Sequence, residues 1–344
     1  MNIGRKELES LSIGAEIIGS GGGGNTYPLK SVLRFYLERN RLPNFVDLED
    51  IPDSSLVVGV AHLGAPMIIE EKLPQGNNLI LSIKALESFI GEKTSAIIPI
   101  EGAGVNALVP LIAAINSNTP IIDGDGTGRA FPELSMTSFS INGISGAPLS
   151  ISDDFGNVVV VEELQESLTD ELVRGIALIF GGGAWVTAYP MTGQEVKKFC
   201  IRKTLSRNIE IGNVLSARSS PLDKIRELQE RFGAKLIGEG FVKEIFRYRE
   251  GKFSKGDLYI ECYDNRFLKI SYQNEYILIT EQEKVIAGIP TIISLLNNKT
   301  LQPIRTDEIS VDDEVFIITM PAPVELTSQK ALKRVGPKAF GYDI

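Results

Sequence analysis

The side chains able to do chemistry are concentrated in one stretch of the chain. Between residues 93 and 123 a single charged residue occurs, Glu101, and from 134 to 152 there is none. Into this apolar region the loop DGDGTGRAFPEL sets Asp123, Asp125, Arg129 and Glu133. Burying charge is costly unless the charge is paired or used, so the cluster points to a site. Asp123 and Asp125, two apart after the apolar run 120–122, can project to one side and share a proton or one divalent metal ion. Arg129 can orient an acidic substituent of a substrate, with Glu133 as a further polar contact. Glu101, in EGAGVN, also follows an apolar strand-like run and brings Asn106 with it. Two neighbouring strand ends would then supply acids to one crevice, which is where open α/β sheets bind ligands.

A second candidate is the turn GSGGGGN, residues 19–25. It matches G-x-G-x-x-G literally, but it follows a helical pattern, whereas a dinucleotide fold needs that fingerprint after a strand. It also lacks the Gly-Lys-Ser/Thr of a P-loop, so no nucleotide cofactor is expected. Gly21, Gly22, Gly23, Gly24 and Asn25 can instead present backbone N–H groups to an anion or a polarised carbonyl. The cluster Glu70, Glu71 and Lys72 reads as a solvated end of the strand-like run 64–69, with Lys72 available as a cationic or acid–base group if that end enters the crevice.

His62 is the only histidine, so any histidine triad or relay must run through this one ring. At the end of an apolar run it reads first as a hydrogen-bonded strand-end residue, and otherwise as a metal ligand beside Asp123 and Asp125. Two cysteines, Cys200 and Cys262, allow no disulfide framework and no Cys-based zinc site within one chain.

The elements that must hold these residues follow from periodicity. Leu8, Leu11, Ala15 and Ile18 mark one helix and Leu29, Val32, Leu33, Tyr36 and Leu37 a second, with the glycine turn between them. Apolar strands at 55–61, 95–100 and 119–122 then alternate with helices at 78–90 and 104–117. Further strands are expected at 148–152 and 157–161, and a helix at 163–179. Helical stretches follow a second glycine cluster at 181–183. Beyond residue 233 short strands dominate. The expected fold is an α/β N-terminal domain with a mainly parallel sheet, residues 1–165. A second domain, 166–344, is helical to about residue 232 and then β-rich.

At 344 residues two domains are the natural division. The net charge of −9 and the lack of a basic stretch argue against nucleic acid. No window approaches the length of a membrane span, and the N-terminus carries no signal-peptide pattern, so a cytoplasmic protein acting on a small molecule is expected, as a homo-oligomer.

Taken in order, GSGGGGN, the GAP step with EEK behind it, EGAGVN, DGDGTGRAFPEL, GGGAWVTAYPMTG and the closing GPKAFGYD resemble the S-methyl thiohydantoin desulfurase family. The likeness runs over nearly the whole chain, and DGDGTGRAFPEL is its most specific part. It implies an α/β domain followed by a β-rich one, and hydrolysis of a C–S bond in a cyclic isothiourea. Members of that family occur near or fused to hydantoinase/oxoprolinase-like subunits, which implies such a partner. The leading expectation is therefore a hydrolase of a five-membered cyclic amide or amidine. In it Asp123 or Asp125 activates water, and the glycine amides or Lys72 stabilise developing charge. The rivals are a non-catalytic or half-site subunit of a hydantoinase-like complex, and an anion- or nucleotide-binding regulator.

Overall fold

The computed structural model describes residues 1–64, 66–72, 78–250 and 253–344. Helices α1 (Arg5–Ile18) and α2 (Tyr27–Leu37) form the expected helix–turn–helix unit. The first helix stops because Ser20, Gly21, Gly23 and Gly24 all take positive φ, which glycine accepts and a helix cannot continue through. Pro28 sits in the first turn of α2, and Asn25 Oδ1 accepts the Tyr27 N–H at 2.9 Å. Thr26 does not cap; its hydroxyl donates to Glu16.

The chain continues through β1 (Phe45–Val46), β2 (Leu56–Gly64), α3 (Pro66–Glu71), α4 (Asn78–Ile90), β3 (Ala96–Pro99), α5 (Val109–Ser117), β4 (Ile121–Ile122) and β5 (Gly124–Asp125). Next come α6 (Ser138–Ile141), β6 (Leu149–Ser152), β7 (Val158–Val161), α7 (Glu166–Ile179), β8 (Gly183–Thr192), α8 (Gly193–Phe199) and β9 (Ile201–Arg202). Seven of these strands form one sheet in the order β1-β4-β3-β2-β8-β6-β7. Its β1-β4-β3-β2 part is parallel and the remainder antiparallel. One face packs on α1, α2, α4 and α5, with Leu11, Leu29, Ile83 and Ile112 against Val58 and Ile97. The other face packs on α7 and α8 through Val173 and Val196 against Val57 and Ile98. Each such buried side chain contributes roughly 1.5–3 kcal/mol. Burial on both faces is why β2 and β3 read as unbroken apolar runs.

Two elements differ from the sequence expectation. The run 64–69 is not a strand: β2 ends at Gly64 and α3 begins at Pro66, whose fixed φ suits a first helical turn; Ala65 lies outside the described residues. The second glycine cluster opens β8, read from sequence as helical surroundings. Its Tyr189-Pro190 step, with Tyr189 at φ 53°, produces the register shift opposite Val57 and Gly59 and hides the strand pattern. Strand β8 lies inside the sheet between β2 and β6, so segments from both sides of residue 165 build the α/β layer.

Helices α9 (Thr204–Ser216) and α10 (Pro221–Phe232) lead to the second sheet, built from β10 (Lys235–Glu250), β11 (Phe253–Cys262), β12 (Phe267–Gln273), β13 (Glu275–Glu281), β14 (Lys284–Gly288), β15 (Ile292–Asn297), β16 (Pro303–Ile304) and β17 (Glu314–Met320). All eight are antiparallel, in the order β14-β13-β12-β11-β10-β17-β15-β16, and α11 (Gln329–Val335) follows. The two domains share apolar packing: Ile17 and Ile18 of α1 and Ile211 of α9 join Phe316 and Ile318 of β17 in one cluster.

Helix α9 crosses α1 with the two backbones in contact. A methyl group on Gly14 would strike the Asn208 carbonyl, and one on Gly212 the Ser10 carbonyl. That approach brings Asn208 to the end of β3. No helix among the described residues is long and apolar enough to cross a membrane.

Candidate functional site

The site forms where three glycine-rich segments meet. Beyond β3, Ile100 is held by Val60 and by Gly126, and Glu101 follows at the carboxyl end of the parallel strands. The Gly102 carbonyl accepts from Asn208 Nδ2 at 2.7 Å, and its N–H donates to Asp125 Oδ2 at 2.6 Å. Gly104 lies directly on the glycine bend, and Val105 N–H donates to the Gly23 carbonyl at 2.8 Å. From the other side the second domain grips the same bend: Tyr276 N–H donates to the Ser20 carbonyl at 2.7 Å and Thr306 N–H to the Gly21 carbonyl at 2.9 Å. The N–H groups of Gly23 and Gly24 donate to no acceptor among the described residues, which leaves them available to a ligand.

Three carboxyl groups converge here. Glu101 is half-buried, its Oε2 accepting from Phe131 N–H at 2.9 Å. Burial raises its pKa to about 8, with the charges of Glu275 and Asp125 adding to the effect and the hydrogen bonds from Phe131 and Asn106 opposing it. Asp125 is fully buried, and burial takes it to about 7 although the Gly102 and Gly128 N–H groups and the Thr127 side chain stabilise its anion. Glu275, from the start of β13, rests against Gly22; burial raises it to about 7, opposed by Arg129. Arg129 is fully buried and depressed to about 10 by burial, while Glu275 and Glu101 favour its charge. Groups with proton affinities near neutrality are suited to moving protons.

The two aspartates do not share a site. Asp123 caps α9, accepting from Leu205 and Ser206 N–H groups at 3.1 Å each and from the Ser206 hydroxyl. Asp125 instead closes its own loop, accepting from Gly128 N–H at 2.9 Å, Thr127 Oγ1 at 3.1 Å and Gly102. Where the sequence suggested one shared proton or metal, separate sets of donors hold the two carboxylates. His62 is no better placed as a ligand. Its ring packs edge-on against Trp185 at 4.9 Å, and burial lowers its pKa to about 4. Its backbone N–H and carbonyl are bridged by the Asn106 side chain at 2.7 and 3.1 Å, which ties Asn106 to the end of β2. Among the described residues no group of three or more His, Cys, Asp and Glu is arranged to hold a metal ion.

Lys72 is exposed and lies beside Gly181 in the second glycine cluster, with no ion pair among the described residues. Glu133 stands by Asp170 of α7, whose carboxyl fastens Leu134 and Ser135. The structure thus brings together Gly21, Gly22, Gly23, Gly24, Glu101, Asn106, Asp125 and Arg129, and leaves Asp123, Glu133 and Lys72 at its margins. It adds residues that sequence reasoning missed. Glu275 was visible only as a lone acid heading an apolar strand, and Arg207 of α9, partly buried beside Asp125, carried no signal at all.

Comparison with known proteins agrees with this architecture. The profile of the S-Me-THD-like N-terminal domain matches residues 6–163, and that of the S-Me-THD-like C-terminal domain matches residues 164–344. A crystal structure of a protein from Chromobacterium violaceum superposes with a TM-score of 0.85 over 99% of this chain and 98% of that one, at 21% identity. That level of identity speaks for a common fold. No curated protein matches the chain. With both profiles in sequence and together spanning almost every residue, the chain belongs to the S-Me-THD-like family.

Proposed function

We propose that the protein hydrolyses a five-membered cyclic amidine of the S-methyl thiohydantoin type, with Glu101 as the proton-transfer group. The observation that carries this reading is a half-buried carboxyl with a pKa near 8 at the end of β3, three residues before Gly104 packs on the bend whose Gly23 and Gly24 N–H groups are unclaimed. Such a carboxyl can accept a proton in one step and return it in the next.

Glu101 in its ionised form takes a proton from water as the water oxygen bonds to the ring carbon between the two nitrogens. The electron pair of the C=N bond moves onto nitrogen, where the N–H groups of Gly23 and Gly24 face the developing charge. The C–S bond then breaks. Glu101 gives its proton to the departing methylthiolate, the second water proton ends on the ring nitrogen, and the ring carbon becomes a carbonyl. Asp125 serves as a positioning residue that joins the loop of Thr127 and Gly128 to Gly102. Among the described residues no group of three or more His, Cys, Asp and Glu could hold a metal ion, and no step is routed through one.

The test is turnover by the purified chain alone on S-methyl thiohydantoin in ¹⁸O-labelled water. Release of methanethiol with one labelled oxygen in the new carbonyl is expected. Absence of methanethiol overturns the reading, and turnover that requires an added hydantoinase-like subunit replaces it with the half-site alternative.

A further inference from the structure

Arg129 and Glu275 come from different domains into each other's electrostatic reach, and each has a polar atom unclaimed. Arg129 is fully buried; its Nε donates to the Ala130 carbonyl at 3.0 Å and its Nη1 to the Thr291 carbonyl at 2.8 Å, while Nη2 has no partner among the described residues. Glu275 is 4% exposed, lies against Gly22, and its Oε2 accepts from nothing among the described residues. Each is the other's leading charged neighbour, yet neither forms an ion pair among the described residues. Buried donors and acceptors are nearly always satisfied, so a donor and an acceptor left open on two charged neighbours call for a ligand that offers both complements.

We propose, building on the hydrolytic reading above, that Arg129 Nη2 and Glu275 together read an amide edge of the substrate ring. The guanidinium donates to a ring carbonyl oxygen, and the carboxylate accepts the ring N–H beside it. A carboxylate substituent would present two acceptors, one of which would meet Glu275 or Glu101, so the expected grip of Arg129 on an acidic group gives way to recognition of a neutral edge. In a thiohydantoin the N–H and carbonyl at ring positions 3 and 4 form such an edge. The carbon under attack, at position 2, is bonded to the same nitrogen. Glu101 is a charged neighbour of both Arg129 and Glu275, which suits it to face that carbon. Specificity then depends on a residue of the C-terminal domain, and neither domain alone completes the site.

Calorimetry on the full chain with hydantoin, 1-methylhydantoin and 3-methylhydantoin tests this. The first two should bind alike. The 3-methyl compound, which cannot donate to Glu275, should bind about 10-fold to 100-fold more weakly. In Glu275→Met, with the variant's fold checked by circular dichroism, the preference between the two methyl compounds should vanish. If that variant does not fold, the comparison on the unaltered chain decides. Equal binding of the 1- and 3-methyl compounds to the unaltered chain overturns the amide-edge assignment and leaves hydrolysis standing. Clear preference without any methanethiol release supports the assignment and removes the hydrolytic reading. Binding of none of the three, with no turnover, removes both.

Discussion

Replacing Glu101 by glutamine should make the protein more stable in alkali while disabling it. Folding takes this carboxyl from an ordinary pKa of 4.5 to about 8, chiefly through burial. Between those values the folded chain keeps a proton that the unfolded chain has released, so stability falls as pH rises through that window and levels off above it. At about 1.36 kcal/mol for each pH unit the loss reaches about 5 kcal/mol. That figure is an upper limit, because the half-buried group keeps some contact with water, which screens it. Glutamine retains an oxygen for the Phe131 N–H and carries no charge to bury. Urea unfolding of both proteins at pH 5, 7 and 9 should therefore give a stability difference near zero at pH 5, growing to about 2–5 kcal/mol in favour of the variant at pH 9. Asp125 and Glu275 are raised in both proteins, so their contribution largely cancels in the difference. Turnover should fall by about 100-fold to 10,000-fold, and the limb of the pH–rate profile near 8 should disappear. A stability difference that stays flat from pH 5 to pH 9 would falsify the assignment of Glu101 as a buried, proton-holding acid.

Three further outcomes follow from the same geometry. Gly22→Ala places a methyl group on the Glu275 carboxyl, so it should abolish ring binding in calorimetry and lower stability by about 1–3 kcal/mol; a fully active variant would mean that the bend does not border the site. Asp123→Ala removes the cap of α9 and should cost about 1–2 kcal/mol in urea titration, with the pH–rate profile unmoved; a profile shifted along the pH axis would return Asp123 to the chemistry. Cys200, pushed up to about 12 by burial, and Cys262, also raised by burial, should resist alkylation in the native protein and react in denaturant, as read by mass spectrometry. Rapid native modification of Cys200 would contradict its packing.

Much of this protein is determined by local pattern. The apolar spacing in α1, α2 and α4, and the unbroken runs of β2 and β3, specify element type because each must hide a face or a whole strand from water. The scarcity of charge around Glu101 and Asp125 marks the site for the same reason: an acid surrounded by apolar sequence will be buried, and burial changes its chemistry. Tertiary structure alone decided what each acid does. Asp123 and Asp125 look equivalent in sequence, yet one meets the open N–H groups of α9 and the other those of Gly102 and Gly128, donors supplied by distant segments. It also decided that β8, masked by glycines and a proline, stands inside the sheet, and that Gly14 and Gly212 let two helices touch. Glu275 enters the site from 150 residues beyond Asp125 for the same physical reason. A carboxylate's proton affinity and partners are set by the donors, charges and exclusion of water that packing brings to it, and those arrive from parts of the chain that share no local pattern with it.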